Sequence, residues 1–332
     1  MLNGSARNYL LMAGMDYRLK EYDDGRRAQP DWNLDQIVEQ LRRLRSEWRQ
    51  TTKPDGITYE LPSREALSDI VEGLSGALFP RHFGPAALTE EAVDHFISRT
   101  LDGTLQSLLE QVRRELRLAS GPPGNGAPQL DARAREITRV FAAHLPVVRG
   151  LLESDILAAY QGDPAARSID EVLFCYPGIA AIARHRLAHE LYLLGAPLLA
   201  RIISELAHSA TGIDIHPGAR IGGSFFIDHG TGVVIGETAV IGQRVRLYQG
   251  VTLGAKRFAV DDNGALLKGG DRHPIIEDDV VIYAGATILG RVTIGRGSAI
   301  GGNVWLTRSV PPGSNITQAL ARNDIFADGG GI

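Results

Sequence analysis

From Ile215 onward the chain repeats every six residues. Ile215, Ile221 and Ile227 are aliphatic at that step, and after a slip of two residues the series resumes at Ile235, Ile241, Leu247 and Leu253. After an interruption it returns as Ile276, Ile282, Ile288, Ile294, Ile300 and Leu306. The position four residues further on is mostly small or branched, as at Ala239, Val245, Val280, Ala286 and Ser298. A helix repeats every 3.6 residues, and the strand-and-hairpin pattern of an ordinary β-sandwich does not hold a period of six from turn to turn. A coil with three flat faces does: each hexapeptide supplies one short strand and one corner. The aliphatic residue points into the prism and the small residue fills the space beside a corner. Glycines such as Gly236, Gly242, Gly254, Gly295 and Gly301 directly follow the aliphatic residue and are read as the bends. At strand spacing, about thirteen hexapeptides stack to a height of about 20 Å.

The residues before the repeat pattern as helices. Leu34, Ile37, Val38, Leu41 and Leu44 follow Asn33 at helical spacing, and Ala66, Leu67, Ile70, Val71 and Leu74 follow Ser63 in the same way. Asn and Ser suit the cap position before a first helical turn. Thr89, Glu90 and Glu91 open a third helical stretch running toward Leu118. The run Gly121–Pro128 is rich in glycine and proline, which places a loop or linker near 119–129. Helical patterning resumes from Leu130 to about Ala210, broken near Asp163-Pro164 and at Tyr176-Pro177-Gly178. The expected fold class is therefore α+β: a helical domain over 1–210, a left-handed parallel β-helix over 211–312, and a tail over 313–332. The polar stretch Lys256–Pro274 breaks the period and must leave the coil as an external loop, 256–274, of the kind that carries function.

Composition excludes several classes. With 35 basic and 39 acidic side chains the net charge is -4, which gives no electrostatic case for nucleic acid or an anionic membrane. Cys175 is the only cysteine, so no intrachain disulfide is possible and a reducing, cytoplasmic setting fits. The apolar run Tyr9–Met15 is too short to span a bilayer. The 38 glycines crowd the region after Gly212, and aromatics make up only 6%, as a repetitive β structure with tight corners requires.

Chemistry-bearing residues gather where the repeat slips. Asp214 precedes the first coil, and Asp228 and His229 stand in Ile227-Asp228-His229-Gly230-Thr231-Gly232. His216, His229 and His273 all avoid the inward aliphatic positions and are expected on the prism surface or a loop. The chain shows no Gly-x-Ser-x-Gly elbow, phosphate loop or dinucleotide fingerprint. A histidine with a carboxylate partner can instead deprotonate a substrate hydroxyl and support direct acyl transfer.

Four ordered motifs carry a resemblance. Asp163-Pro164-Ala165, Gly212-Ile213-Asp214-Ile215-His216-Pro217, Asp228-His229-Gly230-Thr231-Gly232 and Gly270-Asp271-Arg272-His273-Pro274 together closely resemble serine acetyltransferases, as does Val234-Ile235-Gly236-Glu237-Thr238. The resemblance spans roughly Asp155–Pro312, and the long 256–274 loop is similar to a second branch of that family. It implies acetyl transfer from acetyl-CoA to L-serine, giving O-acetylserine for cysteine synthesis, in a ternary complex and with no permanently bound cofactor or metal. Carried over, His229 is the general base, Asp214 its orienting partner, and His273 a second essential histidine. Arg272 with His273 would hold the serine carboxylate, Asp163 and Asp228 its ammonium, and backbone around Ala284 and Gly302 the coenzyme A groove. His216 reads as structural. The family further implies L-cysteine as feedback inhibitor, a homotrimer or dimer of trimers, and docking of Ile332 into O-acetylserine sulfhydrylase. Other readings stay open on the residues alone: an acetyltransferase for a sugar hydroxyl, a zinc hydro-lyase using His216, His229 and His273, or a non-catalytic scaffold.

Overall fold

The computed structural model describes residues 32–52, 60–120, 127–257, 266–267 and 269–318. By internal contacts the chain divides into two units, Met1–Ile57 and Thr58–Ile332. The first contains helix α1 (Leu34–Thr52), whose stripe of Leu34, Ile37, Val38, Leu41 and Leu44 is exposed. The second contains the other described helices and the described coil, joined by one continuous apolar core. The sequence boundary at 210/211 is a change of secondary structure inside this unit.

Helix α2 (Arg64–Leu78) is capped by Ser63, whose hydroxyl accepts from the Ala66 amide at 3.1 Å. It buries Leu67, Ile70, Val71 and Leu74. A four-residue helix, α3 (Pro80–Phe83), follows; its first-turn proline needs no amide partner. The stretch opened by Thr89 begins as a 3₁₀ turn, Glu90–Ala92, and becomes α4 over Val93–Ser120. Helix α5 (Ala127–Gly162) starts earlier than the proline run suggested, because a proline in the first turn is tolerated. The breaks expected near 163 and 176 separate α5, α6 (Ile169–Cys175) and α7 (Pro177–Leu193). A further break at Gly195, φ +89°, precedes α8 (Pro197–Thr211), which ends on Gly212 at φ +70°. No described helix is long and apolar enough to cross a membrane.

The coil has three parallel faces. The first stacks β1 (Asp214–Ile215), β4 (Val234–Ile235), β7 (Thr252–Gly254), β10 (Thr287–Leu289) and β13 (Trp305–Leu306). The second stacks β2 (Arg220–Ile221), β5 (Val240–Ile241), β8 (Ile275–Ile276) and β11 (Thr293–Ile294). The third stacks β3 (Phe226–Ile227), β6 (Arg246–Leu247), β9 (Val281–Ile282), β12 (Ala299–Ile300) and β14 (Asn315–Ile316). From β1 to β13 the paired strands are three apart and in register, and β14 pairs with β12, so aliphatic residues such as Ile235, Leu253 and Ile288 form a buried column.

Three sequence expectations need correction. The backbone turns left-handed three residues after the aliphatic position, as at Arg244, Gly250, Asp279 and Asn303, and not at the glycine directly after it. That glycine is required for clearance: a Cβ on Gly242 would lie 2.8 Å from the Asp278 amide nitrogen, and one on Gly295 would lie 2.3 Å from that of Pro312. The coil also runs past Pro312, because Gly313 turns at φ +71° and lets β14 pair with β12. Finally, His273 is not displayed on a loop surface; it is only 7% exposed.

A buried ion pair ties helices to coil. Arg186 on α7 donates to both oxygens of Asp155 on α5, at 2.7 and 2.9 Å. Asp155 also accepts from the Phe225 amide, and Arg186 donates to the carbonyls of Ile221 and Gly222. Every charge-bearing atom of the pair is thereby matched, as a buried pair requires.

Candidate active site

The eight-residue step between Ile227 and Ile235 makes the corner joining the third face to the first. His229, Gly230 and Gly232 all take positive φ there, at 59°, 93° and 78°. Gly230 must be glycine, since a Cβ would lie 2.4 Å from Ile213 Cδ1. The distortion pushes His229 outward, where its side chain is 72% exposed. Its Nε2 lies 4.0 Å from Asp228 Oδ1. Asp228 is itself buried and accepts from Arg246 at 2.6 Å through its other oxygen. Arg246 also donates to the Gly162 carbonyl at 2.6 Å, the last residue of α5. Asp163 follows directly. Its carboxylate accepts from the Tyr176 hydroxyl at 2.5 Å and the Ala165 amide at 2.8 Å. These hydrogen bonds hold the Asp163 carboxyl below the usual range and push Tyr176 up to about 12. Asp163, Asp228 and His229 are thus brought together by segments far apart in sequence.

Asp214 is placed beside this corner, since Gly232 donates to the Gly212 carbonyl and the Asp214 amide to that of Val233. No hydrogen bond joins it to His229 among the described residues. Its carboxylate instead faces Glu205 and His208. Ala284 and Gly302 lie on the same prism edge as His229, two and three coils further along, where a Cβ on Gly302 would approach the Ala284 carbonyl to 3.2 Å. Between them and Asp228, Tyr248 and Tyr283 stack with ring centres 5.2 Å apart.

The second group sits on a different edge, between the first and second faces. Here the end of the 256–274 loop is pinned to Thr238, whose hydroxyl accepts from the amides of Arg272 and His273 at 2.9 and 3.1 Å. The His273 ring lies over Gly236, where a Cβ would come within 2.0 Å of it. Its Nδ1 accepts from the Thr238 amide at 3.1 Å. An amide N–H can only donate, so the neutral ring carries its proton on Nε2. Burial, then the charge of Arg272, lowers His273 to about 4. Arg272 pairs with Glu237 at 2.5 Å, and Tyr192 donates to the other Glu237 oxygen at 2.9 Å. Burial opposes ionisation of Glu237, yet these two hydrogen bonds prevail and its carboxyl lies below the usual range. His216 is half-buried, accepts from the Gly218 amide and is lowered to about 4 by burial. His216, His229 and His273 do not converge within the chain; among the described residues only Glu205, His208 and Asp214 have the spacing of a metal-ligand group.

Sequence comparison decides the family. A curated serine acetyltransferase, "plasmid", of Synechococcus elongatus is 62% identical over 304 residues, covering 91% of this chain and 95% of that relative. The chain belongs to the serine acetyltransferases. The family profile for the bacterial transferase hexapeptide (six repeats) matches residues 273–308. The crystal structure of Entamoeba histolytica serine acetyltransferase 1 in complex with L-cysteine superposes with TM-score 0.65 at 36% identity, over 79% of this chain and 88% of that one. That of the Neisseria gonorrhoeae serine acetyltransferase in complex with serine gives 0.50 at 31% identity, over 80% and 98%. The coil is the family's left-handed parallel β-helix, and the enzyme is an acyltransferase that acetylates serine for cysteine biosynthesis.

Several residues of the candidate site of this serine acetyltransferase were not singled out from sequence. Arg246 and Tyr192 carry no motif. Glu237 and Thr238 stand in a motif of the family, yet only the fold shows what they hold.

Proposed function

We propose that acetyl-CoA donates its acetyl group to L-serine at sites shared between neighbouring chains of a homotrimer. One observation carries this reading: the Asp163–Asp228–His229 group and the Arg272–His273 group hang from different edges of one prism. A face separates them: His229 and Gly236, over which the His273 ring lies, are seven residues apart in the chain, so their Cα atoms are at most about 25 Å apart. Threefold packing brings the first edge of one prism against the second edge of the next, completing one site per interface. Serine would then meet Arg272 from one side and the two carboxylates from the other, so both its charges are matched at separate points. His229 takes the hydroxyl proton, the freed oxygen attacks the thioester carbonyl, and the departing thiolate recovers the proton from the imidazolium. His273 acts as a donor through Nε2–H, aimed at the oxygen that becomes negative. Asp214 adjoins the exposed His229 and serves as its orienting partner once the ring turns inward. The edge bearing Tyr248, Tyr283, Ala284 and Gly302 is the path for the coenzyme A arm.

Mixing tests this arrangement. Chains bearing His229→Ala and chains bearing His273→Ala, each inactive alone, are unfolded together and reassembled. Mixed trimers recover activity if sites are shared; verified mixed trimers with none would refute sharing.

The serine of the Neisseria complex and the L-cysteine of the Entamoeba complex would here be substrate and feedback inhibitor of one clamp. The exposed thiol of Cys175 suits a reducing cytoplasm. Docking on O-acetylserine sulfhydrylase falls on Ile332, outside the described residues. Calorimetry with the last ten residues as a peptide tests it, and equal binding by a peptide lacking Ile332 would sink the idea.

A further inference from the structure

We infer that Arg246 is a positioning residue for the substrate amino group, acting through Asp228. The inference rests on the proposed roles of Asp163 and Asp228 as the ammonium clamp. One guanidinium spans the two segments that carry these carboxylates. It donates to Asp228 Oδ2 at 2.6 Å and to the carbonyl of Gly162, the residue before Asp163, also at 2.6 Å. Its plane is held by two rings, with the guanidinium carbon 4.9 Å from the Phe226 centroid and 4.7 Å from that of Tyr248. Gly162 allows the approach, because a Cβ there would already lie 3.1 Å from the Phe226 ring.

Charge count gives the device its purpose. Asp163, Asp228 and Arg246 sum to one negative charge when His229 is neutral. A single ammonium therefore completes neutrality, where two unmatched carboxylates would repel each other and favour taking up a proton. Asp228 is only 8% exposed and, among the described residues, has no cationic side chain within salt-bridge distance except Arg246 and His229, so Arg246 aims its carboxylate before substrate arrives. Lysine could supply the charge but not the two-pronged geometry or the ring stacking.

A double-mutant cycle separates this role from simple bracing of α5 against the coil. Asp228→Asn, Arg246→Met and the double variant are compared in steady-state kinetics with serine and acetyl-CoA varied in turn, and folding is checked by circular dichroism. Each single change should lower kcat/KM for serine about 10–100-fold, chiefly through KM, with KM for acetyl-CoA nearly unchanged. The double variant should be no worse than Asp228→Asn alone, since Arg246 then has nothing to position. Losses that multiply would overturn the inference, as would a normal serine KM in Arg246→Met. A normal serine KM in Asp228→Asn would instead remove the clamp reading beneath it. If Arg246→Met does not fold, Arg246→Lys runs through the same cycle, with a smaller rise in serine KM expected; a full return to normal would show that charge alone suffices and that the fork positions nothing.

Discussion

His229 and His273 share a side chain but not an environment. The ring of His229 is exposed at a corner of the coil, whereas His273 is buried and committed to an Nε2–H donor. His229→Ala should therefore lower kcat about 10²–10⁴-fold with circular dichroism unchanged, since nothing of the prism core rests on that ring. A folded variant with near-normal kcat would remove it as the base. Asp214→Asn should cost less than His229→Ala. The lowered His273 and His216 also make stability depend on pH. Above about pH 6.5 both rings are neutral in folded and unfolded chains. As pH falls from there toward 4, the unfolded chain binds protons that the folded chain refuses, so stability is lost across that window. The limiting slope is about 1.4 kcal/mol per pH unit for each ring. Denaturant titrations at several pH values should show a shallower acid decline in His273→Gln; an identical decline would mean that this ring titrates normally.

At the scale of elements, glycines divide by what surrounds them. Gly242 follows Ile241 and lies against the next coil, so Gly242→Ala would force the Asp278 backbone away and should cost about 1–3 kcal/mol. Gly103 sits inside α4, where an added methyl would have nothing within 4 Å, and Gly103→Ala should raise stability by up to about 1 kcal/mol. Thermal unfolding of the two variants checks both signs, and equal effects would refute the clearance argument. Gly236→Ala is the functional counterpart. Its methyl would occupy the seat of His273, so activity should fall while the coil persists. The same logic applies to the join between α5, α7 and the first coil. Arg186→Met would strand the fully buried Asp155 carboxylate and should cost about 3–5 kcal/mol.

At the scale of the whole molecule, the proposed clamp has a consequence for regulation. L-cysteine differs from serine only by sulfur for oxygen, and the proposed clamp groups would contact the amino and carboxyl ends common to both. Cysteine should therefore raise the apparent KM for serine and leave the maximal rate unchanged. Initial-rate measurements over a grid of both amino acids distinguish this from a remote site, which saturating serine would not relieve. Arg246→Met should weaken cysteine inhibition along with serine binding, because both would use the same positioned Asp228.

The coil was legible in the sequence because its rule is local. Each hexapeptide states its own inward residue, and Ile276 through Leu306 keep that register without help from anything distant. Helix α2 was legible for the same reason, from its Ser63 cap and apolar spacing, as were the Asp163-Pro164 and Tyr176-Pro177-Gly178 breaks that bound α5 and α7, and the slip that displays His229. Distant pairings were not. Arg246 reaches Gly162 across 84 residues, and Arg186 reaches Asp155 across 31. No local pattern marks either arginine as anything but a polar residue on an element. The seat of His273 over Gly236 likewise depends on how a loop folds back, which period and composition do not encode. Local sequence determined the elements and the edge on which each motif lies. Only the tertiary structure decided which charges meet, since ion pairing and burial depend on distances between segments that the chain brings together only on folding.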